Sequence, residues 1–175
     1  MDKEMKARLA NGVSAFHLPK YTELPDMGLY LEQVTTYLNQ LFVPLGCIEL
    51  TGSMIRNYVK KGLIANPVQK RYYADHLAHL IAIGLLKNVM PLENIHALFL
   101  RQRKIYSVPT AYDYLGMELE NMLFFMFEVK DTVEEIGSTS STEKQMLRSA
   151  IIALCNIIYL NACFRQLSIQ DIETG

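Results

Sequence analysis

Apolar residues recur at helical spacing along most of this chain. Leu31, Val34, Leu38, Leu41 and Phe42 form one stripe and predict a helix from residue 26 or 28 to about 42, which Pro44 and Gly46 then break. Ile55, Tyr58 and Val59 share a face in the next segment. Thr51 suits its N-cap, where the hydroxyl accepts from an orphan backbone N–H. Gly62 suits the position just past its end, where a left-handed conformation costs glycine nothing. Asn66-Pro67 turns the chain, and the run 69–73 has the composition of a strand, half of a short two-stranded wing. A strongly apolar helix follows over 74–89, then one over 91–104 with Leu92, Ile95, Leu98 and Phe99 on one side.

Residues 107–110 separate this half from two long apolar helices, expected from residue 110 or 111 to about 136 and over about 141–167. A polar loop joins them, and Ser140 with Glu143 reads as a capping box for the second. The two should pair as an antiparallel hairpin. Each is apolar on most faces and needs cover on most faces, which predicts a two-fold homodimer through this surface. A small apolar effector held among the Met and Phe side chains is another reading of the same residues. Ahead of all this, residues 1–25 begin as a charged helical fragment. They pass into His17-Leu18-Pro19 and Leu24-Pro25, which argue for an extended arm. The fold class expected is all-α, with at most a short two-stranded wing.

Charge sharpens the picture. The net charge is −1, but residues 51–104 carry 9 basic and 2 acidic side chains while residues 105–175 carry 4 and 10. Between residues 50 and 74 there is no acid at all. Within that window Ser53, Arg56, Asn57, Lys60 and Lys61 fall at i, i+3, i+4, i+7 and i+8, one face of the short helix. Three cations, an amide and a hydroxyl are the groups that pair with phosphates and base edges. An ordinary solvated face, the alternative, usually mixes both signs. Lys70 and Arg71 stand at the start of the strand-like run, where a wing would set them beside a phosphate backbone and a plain loop would leave them solvated.

Other chemistry is not signalled. There is no glycine-rich phosphate loop, no serine-nucleophile motif and no Cys-x-x-Cys. The pairs Glu118/Glu120 and Glu134/Glu135 lack a basic or histidine companion and read as solvated charges. His76, His79 and His96 lack the spacing of a ligand set. No enzyme activity, cofactor or metal is therefore expected. Cys47, Cys155 and Cys163 fit buried thiols of a reducing compartment. The uncharged run of sixteen residues, 149–164, is short of the roughly 20 a bilayer span needs and reads as a buried helix. A soluble cytoplasmic protein, off the membrane, is the expectation.

The basic segment also resembles a known family. Ile55-Arg56-Asn57-Tyr58 followed by Gly62-Leu63-Ile64 looks like the recognition helix of MerR-type winged helix-turn-helix regulators. Lys70-Arg71-Tyr72 resembles their wing strand, and Leu92 with Ile95 after Met90-Pro91 the helix beyond. From Leu18-Pro19 through Ile95 the chain is similar to an uncharacterised bacterial domain-of-unknown-function family, for which MerR-like DNA binding is the expectation. Two residues depart from the MerR pattern, Asn57 where it has an aromatic and Val59 where it has an acid. Together with the patterns above, the resemblance gives the organisation expected: an arm over 1–25, a winged helix-turn-helix over 26–106 and a helical hairpin over 107–175. It implies a transcription regulator that binds duplex DNA as a dimer through the helix 53–61 and a short basic wing. Arg56 and Asn57 would read bases, Lys60, Lys61, Lys70 and Arg71 would hold phosphates, and Ser53 would donate near the helix start. A winged module that binds a protein, or a small-molecule sensor built on the hairpin, are the alternatives.

Overall fold

The computed structural model describes residues 2–137 and 140–174, with side chains described to Ser168. Among these residues the secondary structure is helical, with two isolated antiparallel bridges and no extended strand. The fold class is all-α.

Helix α1 (Lys3–Val13) starts where the Asp2 carboxylate accepts from the Met5 N–H at 2.7 Å. Met5, Leu9 and Val13, spaced by four, are buried against α6 (Val108–Met126), α7 (Thr142–Thr174) and the 3-10 turn Val43–Leu45. The lead-in after it is strapped across α6. The Leu18 N–H donates to Glu120 and the Tyr21 N–H to Asp113, each at 2.7 Å, and the Tyr112 hydroxyl donates to the Pro19 carbonyl at 2.9 Å. The arm over 1–25, expected as a helical fragment passing into an extended or irregular lead-in, is a helix and a strap that both pack on the rest of the chain. Charges on α1 mask its apolar row, and the partners of the strap lie a hundred residues away.

Helix α2 (Leu31–Phe42) buries Val34, Leu38 and Phe42. It begins later than residue 26 or 28 because Leu29 is engaged elsewhere, exchanging both backbone hydrogen bonds with Tyr72 at 2.9 and 2.8 Å. The 3-10 turn and Gly46, at φ 62°, then redirect the chain. Asn39 on α2 clamps the connection that follows. Its amide oxygen accepts from the Leu50 N–H at 2.8 Å and its amide nitrogen donates to the Leu50 carbonyl at 2.9 Å. This leads directly into α3 (Gly52–Lys60).

Helix α4 (Ala74–Leu86) is the central element, buried on nearly every side and packed against α2, α5 (Leu92–Gln102), α6 and α7. Gly84 lets it approach α2, since a Cβ there would fall 2.4 Å from the Phe42 ring. Helix α6 ends at Met126, ten residues short of the expected 136. The Val129 N–H bonds the Phe124 carbonyl and the Glu128 N–H bonds that of Phe125, a Schellman closure with Glu128 at φ 57° in the place glycine usually takes. The chain then runs extended, held because the buried Asn121 amide bonds both backbone groups of Glu134 at 2.7 and 3.1 Å.

Helix α7 starts from Ser141, whose hydroxyl accepts from the Lys144 N–H at 3.2 Å, one residue beyond the expected Ser140. It pairs with α6 and buries Leu147, Ile151, Leu154, Cys155 and Ile158. The opposite side is not covered: Ile152, Ile157, Leu160, Phe164 and Leu167 are exposed, Leu160 by 55% and Phe164 by 66%. The helix read as buried from its composition is therefore half-buried within one chain, with part of its apolar surface left uncovered. By length and composition alone Thr142–Ser168 is apolar enough to cross a membrane, a property it shares with core helices of soluble proteins. Glu118, expected as a solvated charge, is fully buried, accepting from the Tyr114 hydroxyl at 2.8 Å with Arg148 at 4.0 Å, and Glu120 is bound to the strap.

Candidate nucleic-acid interface

Helix α3 is amphipathic and its sides are sorted cleanly. Ile55 and Tyr58 are 0% and 3% exposed and face the core. Ser53, Arg56, Asn57, Lys60 and Lys61 all lie on the exposed side. The Thr51 hydroxyl caps the start, accepting from the Met54 N–H at 3.2 Å. At the other end the Gly62 and Leu63 N–H groups bond the Val59 and Tyr58 carbonyls, with Gly62 at φ 72°. Leu63 and Ile64 then dive into the core, which seats the helix at both ends.

The run 69–73, expected as one strand of a two-stranded wing, forms no extended strand; residues 68–71 make a minimal hairpin. Val68 and Arg71 exchange both backbone bonds at 3.0 and 2.9 Å around Gln69 and Lys70, whose φ angles are 49° and 64°. Two central residues at positive φ make the type I′ geometry that suits the twist of a tight hairpin. Asn-Gly or Asp-Gly is the usual choice there, so Gln-Lys gave no turn signal. Lys70 stands exposed at the tip. The hairpin is rooted in the fold by the Leu29–Tyr72 pair and by His76. The His76 Nδ1 accepts from the Tyr73 N–H at 3.0 Å, which leaves Nε2–H to donate to the Asn66 carbonyl at 3.2 Å.

Arg71 is drawn aside from the other cations. Its guanidinium lies over the Tyr30 ring at 4.4 Å, donating to the Gly28 carbonyl at 2.9 Å and the Tyr30 hydroxyl at 3.0 Å. Gly28 is needed for this, because a Cβ there would fall 2.7 Å from the Arg71 Cβ and 2.8 Å from the Tyr73 ring. Arg71 therefore braces the hairpin against the start of α2, with three of its five N–H groups left over. Arg56 links the two parts of the surface. Its Nη1 reaches back over Gly52 beside Leu31, and its charge partly offsets the burial that pushes the Tyr72 hydroxyl above its ordinary pKa. The helix ridge and the root of the hairpin are thus neighbours.

None of Arg56, Lys60, Lys61, Lys70 or Arg71 pairs with a carboxylate among the described residues. Some cations elsewhere do, Lys6 with Glu128, Arg8 with Glu4, Arg101 with Glu143, Lys130 with Glu134 and Arg148 with Glu118, so the ridge differs in carrying several charges without such a partner side by side. The first acid after the window, Asp75, is turned to the strap and accepts from the Tyr21 hydroxyl at 2.6 Å. That bond, after burial, helps push Tyr21 up to about 12. Charges left without counter-charges on one rigid face are available to an external anion. Tyr30 and Asn39, which the sequence did not single out, and His76, weighed there only as a metal ligand, position this surface. A lone Asn in an apolar stripe is the one signal that was there to read. No cluster of three or more His, Cys, Asp or Glu among the described residues is placed to hold a metal ion.

Comparison with known proteins adds a family and no activity. No curated protein and no solved structure matches the chain. One family pattern does, described as Domain of unknown function (DUF1836), over residues 19–115. The match takes in the strap, α2, the ridge of α3, the hairpin, α4, α5 and the opening turns of α6. On that match, over half its length and across the whole of the candidate surface, the chain belongs to the DUF1836 family.

Proposed function

We propose that the protein is a cytoplasmic bacterial transcription regulator that binds duplex DNA as a two-fold dimer, in the manner of a MerR-like winged helix-turn-helix. The observation that carries this reading is the exposed row Ser53, Arg56, Asn57, Lys60 and Lys61, free of carboxylate partners and seated by caps at both ends. Helix α3 would enter the major groove, with Arg56 bidentate on guanine and Asn57 on adenine. Lys60, Lys61 and Lys70 would hold phosphates, the hairpin of residues 68–71 acting as the wing. Arg71 would orient that wing and offer its spare N–H groups to the backbone. Ser53 would donate to a phosphate near the helix start.

The dimer rests on α7. From Met146 to Leu167, 22 residues and 21 rises of 1.5 Å or about 32 Å, its exposed side is mainly apolar. Between Arg148 and Arg165 that side carries no charge. A second copy offers a complementary face by symmetry. Light scattering is expected to give twice the chain mass, and a Leu160→Lys/Phe164→Lys variant the single mass. A monomeric wild type, or its partition onto neutral lipid vesicles, would remove the dimer. The same apolar face favours a second reading, a module that binds a different protein through α7; binding of that partner would then survive Arg56→Ala.

Fluorescence anisotropy with a labelled duplex tests the DNA reading. Four exposed cations per protomer set a slope of log K against log salt of about −3 to −4, doubled in a dimer. Lys60→Gln is expected to flatten the slope by about 1 per protomer and to weaken all sequences alike. Arg56→Ala is expected to cost about 1–3 kcal/mol and relax preference at one base pair. Salt-independent binding, or no binding at low salt, counts against the proposal.

A further inference from the structure

A second site lies away from the basic ridge, between α4, α5 and the start of α6. It is a cleft of about 50 Å³. Its floor is carbon, with Ala82, Leu86, Leu115 and Leu147. Its mouth is polar, with His79, Gln102, Arg103 and Tyr106, and no carboxylate is among the residues that line it. Apolar walls with a few convergent polar groups at one end are the usual form of a small-molecule site.

The groups at the mouth are already oriented. The His79 Nδ1–H donates to the Asp75 carbonyl at 2.6 Å, which leaves Nε2 with its lone pair to accept from Arg103 Nη2 at 3.2 Å. The His79 ring also stands edge-on to Phe99 at 5.2 Å. Burial is the main cause that lowers the His79 pKa, in keeping with a neutral imidazole. Arg103 is thus steadied by a neutral partner and keeps its full charge uncompensated, in contrast to Arg101 two residues earlier, which is paired with Glu143 at 2.9 Å. A guanidinium fork held at the mouth of a carbon-lined hole suits a planar carboxylate carrying an aliphatic tail. Volume sets the tail. A water-sized group needs about 10–15 Å³ of such space, so the cleft takes roughly four, a chain of about three to five carbons.

We propose that this cleft binds a short-chain aliphatic carboxylate, its carboxylate on Arg103 and its tail between Ala82 and Leu115. The site does not depend on the DNA-binding reading, and its test uses no DNA. The probes for isothermal titration of the full chain are butyrate, butyramide, acetate and octanoate. Saturable heat is expected with butyrate in the millimolar range, at least tenfold weaker binding with butyramide and acetate, and no gain with octanoate. Arg103→Gln is expected to weaken butyrate at least tenfold and leave butyramide unchanged. Ala82→Leu, which fills the floor, is expected to abolish binding at an unchanged circular dichroism spectrum. Should that variant fail to fold, Arg103→Gln decides, since its side chain lies at the surface. No heat with butyrate, equal affinity for butyrate and butyramide, or undiminished binding by Arg103→Gln overturns the proposal.

Discussion

Replacing Asn39 by alanine tests how the ridge is held in place. The Asn39 amide makes two hydrogen bonds, at 2.8 and 2.9 Å, to the N–H and carbonyl of Leu50, which is 1% exposed. These bonds fix the connection between α2 and α3 one residue before the Thr51 cap. Alanine leaves both backbone groups without partners, at about 1–3 kcal/mol each for a buried group. Asn39 itself is only half-buried, so water can reach the gap and the low end of that range applies, about 1–1.5 kcal/mol per group and roughly 2–3 kcal/mol in all. For a chain of this size that lowers the melting temperature by roughly 4–12 °C. Urea denaturation reads the change as a lower midpoint at constant slope. Hydrogen exchange supplies the local reading, since the Leu50 amide should lose most of its protection along with Met54 and Ile55 at the start of α3. A loss below about 0.5 kcal/mol, in the range of ordinary surface substitutions, or a Leu50 amide as protected as before, would refute the clamp.

Three other substitutions or conditions have expected outcomes. Thr51→Ala should cost about 1 kcal/mol in urea denaturation through loss of the Met54 cap, and Thr51→Ser should restore most of it. Gly84→Ala should destabilise by about 1–2 kcal/mol despite alanine's better helix propensity, because its Cβ would meet the buried Phe42 ring at 2.4 Å; a stabilised variant would contradict the packing. Burial pushes the Cys47 thiol up to about 11 and Cys155 up to about 12, from 9.0. Folding therefore retains protons that the unfolded chain releases, so this contribution is intact below pH 9.0 and is lost as pH rises towards 11 and 12. Denaturation at about pH 10 should show roughly 1 kcal/mol less stability per thiol than at about pH 8, and Cys155→Ala should shrink the difference.

Local signals were legible where a residue's role is decided by its neighbours in sequence. Thr51 and Gly62 mark the bounds of α3, and the apolar spacing of Ile55 and Tyr58 fixes which side faces out. The features that escaped sequence reading depend on distant partners. Glu128 ends α6 in a conformation that favours glycine, and Asn121 then holds the extended segment that follows. Ser140 and Ser141 are equivalent as caps until the start of α7 is fixed by its packing. The row Met5, Leu9 and Val13 is masked by the charges around it, and α6, α7 and the Val43–Leu45 turn, all distant in sequence, are what it covers. The ridge was legible as a set of types and spacings. Arg71 was not, because nothing in Lys70-Arg71-Tyr72 announces that Tyr30 and Gly28 will draw its guanidinium aside. That α7 carries more apolar surface than one chain covers was legible from its composition, but which residues stay exposed was not, because the neighbours available to cover it are a property of the fold.

The most direct measurement is recovery of sheared genomic DNA by the purified protein, sequenced beside the fragments recovered by an Arg56→Ala/Lys60→Ala variant. The wild type is expected to enrich fragments that share a pseudo-palindromic motif, its half-sites spaced by the dimer. The variant, matched in melting temperature, is expected to enrich none. Equal recovery by both proteins with no common motif would contradict a DNA-reading role for α3.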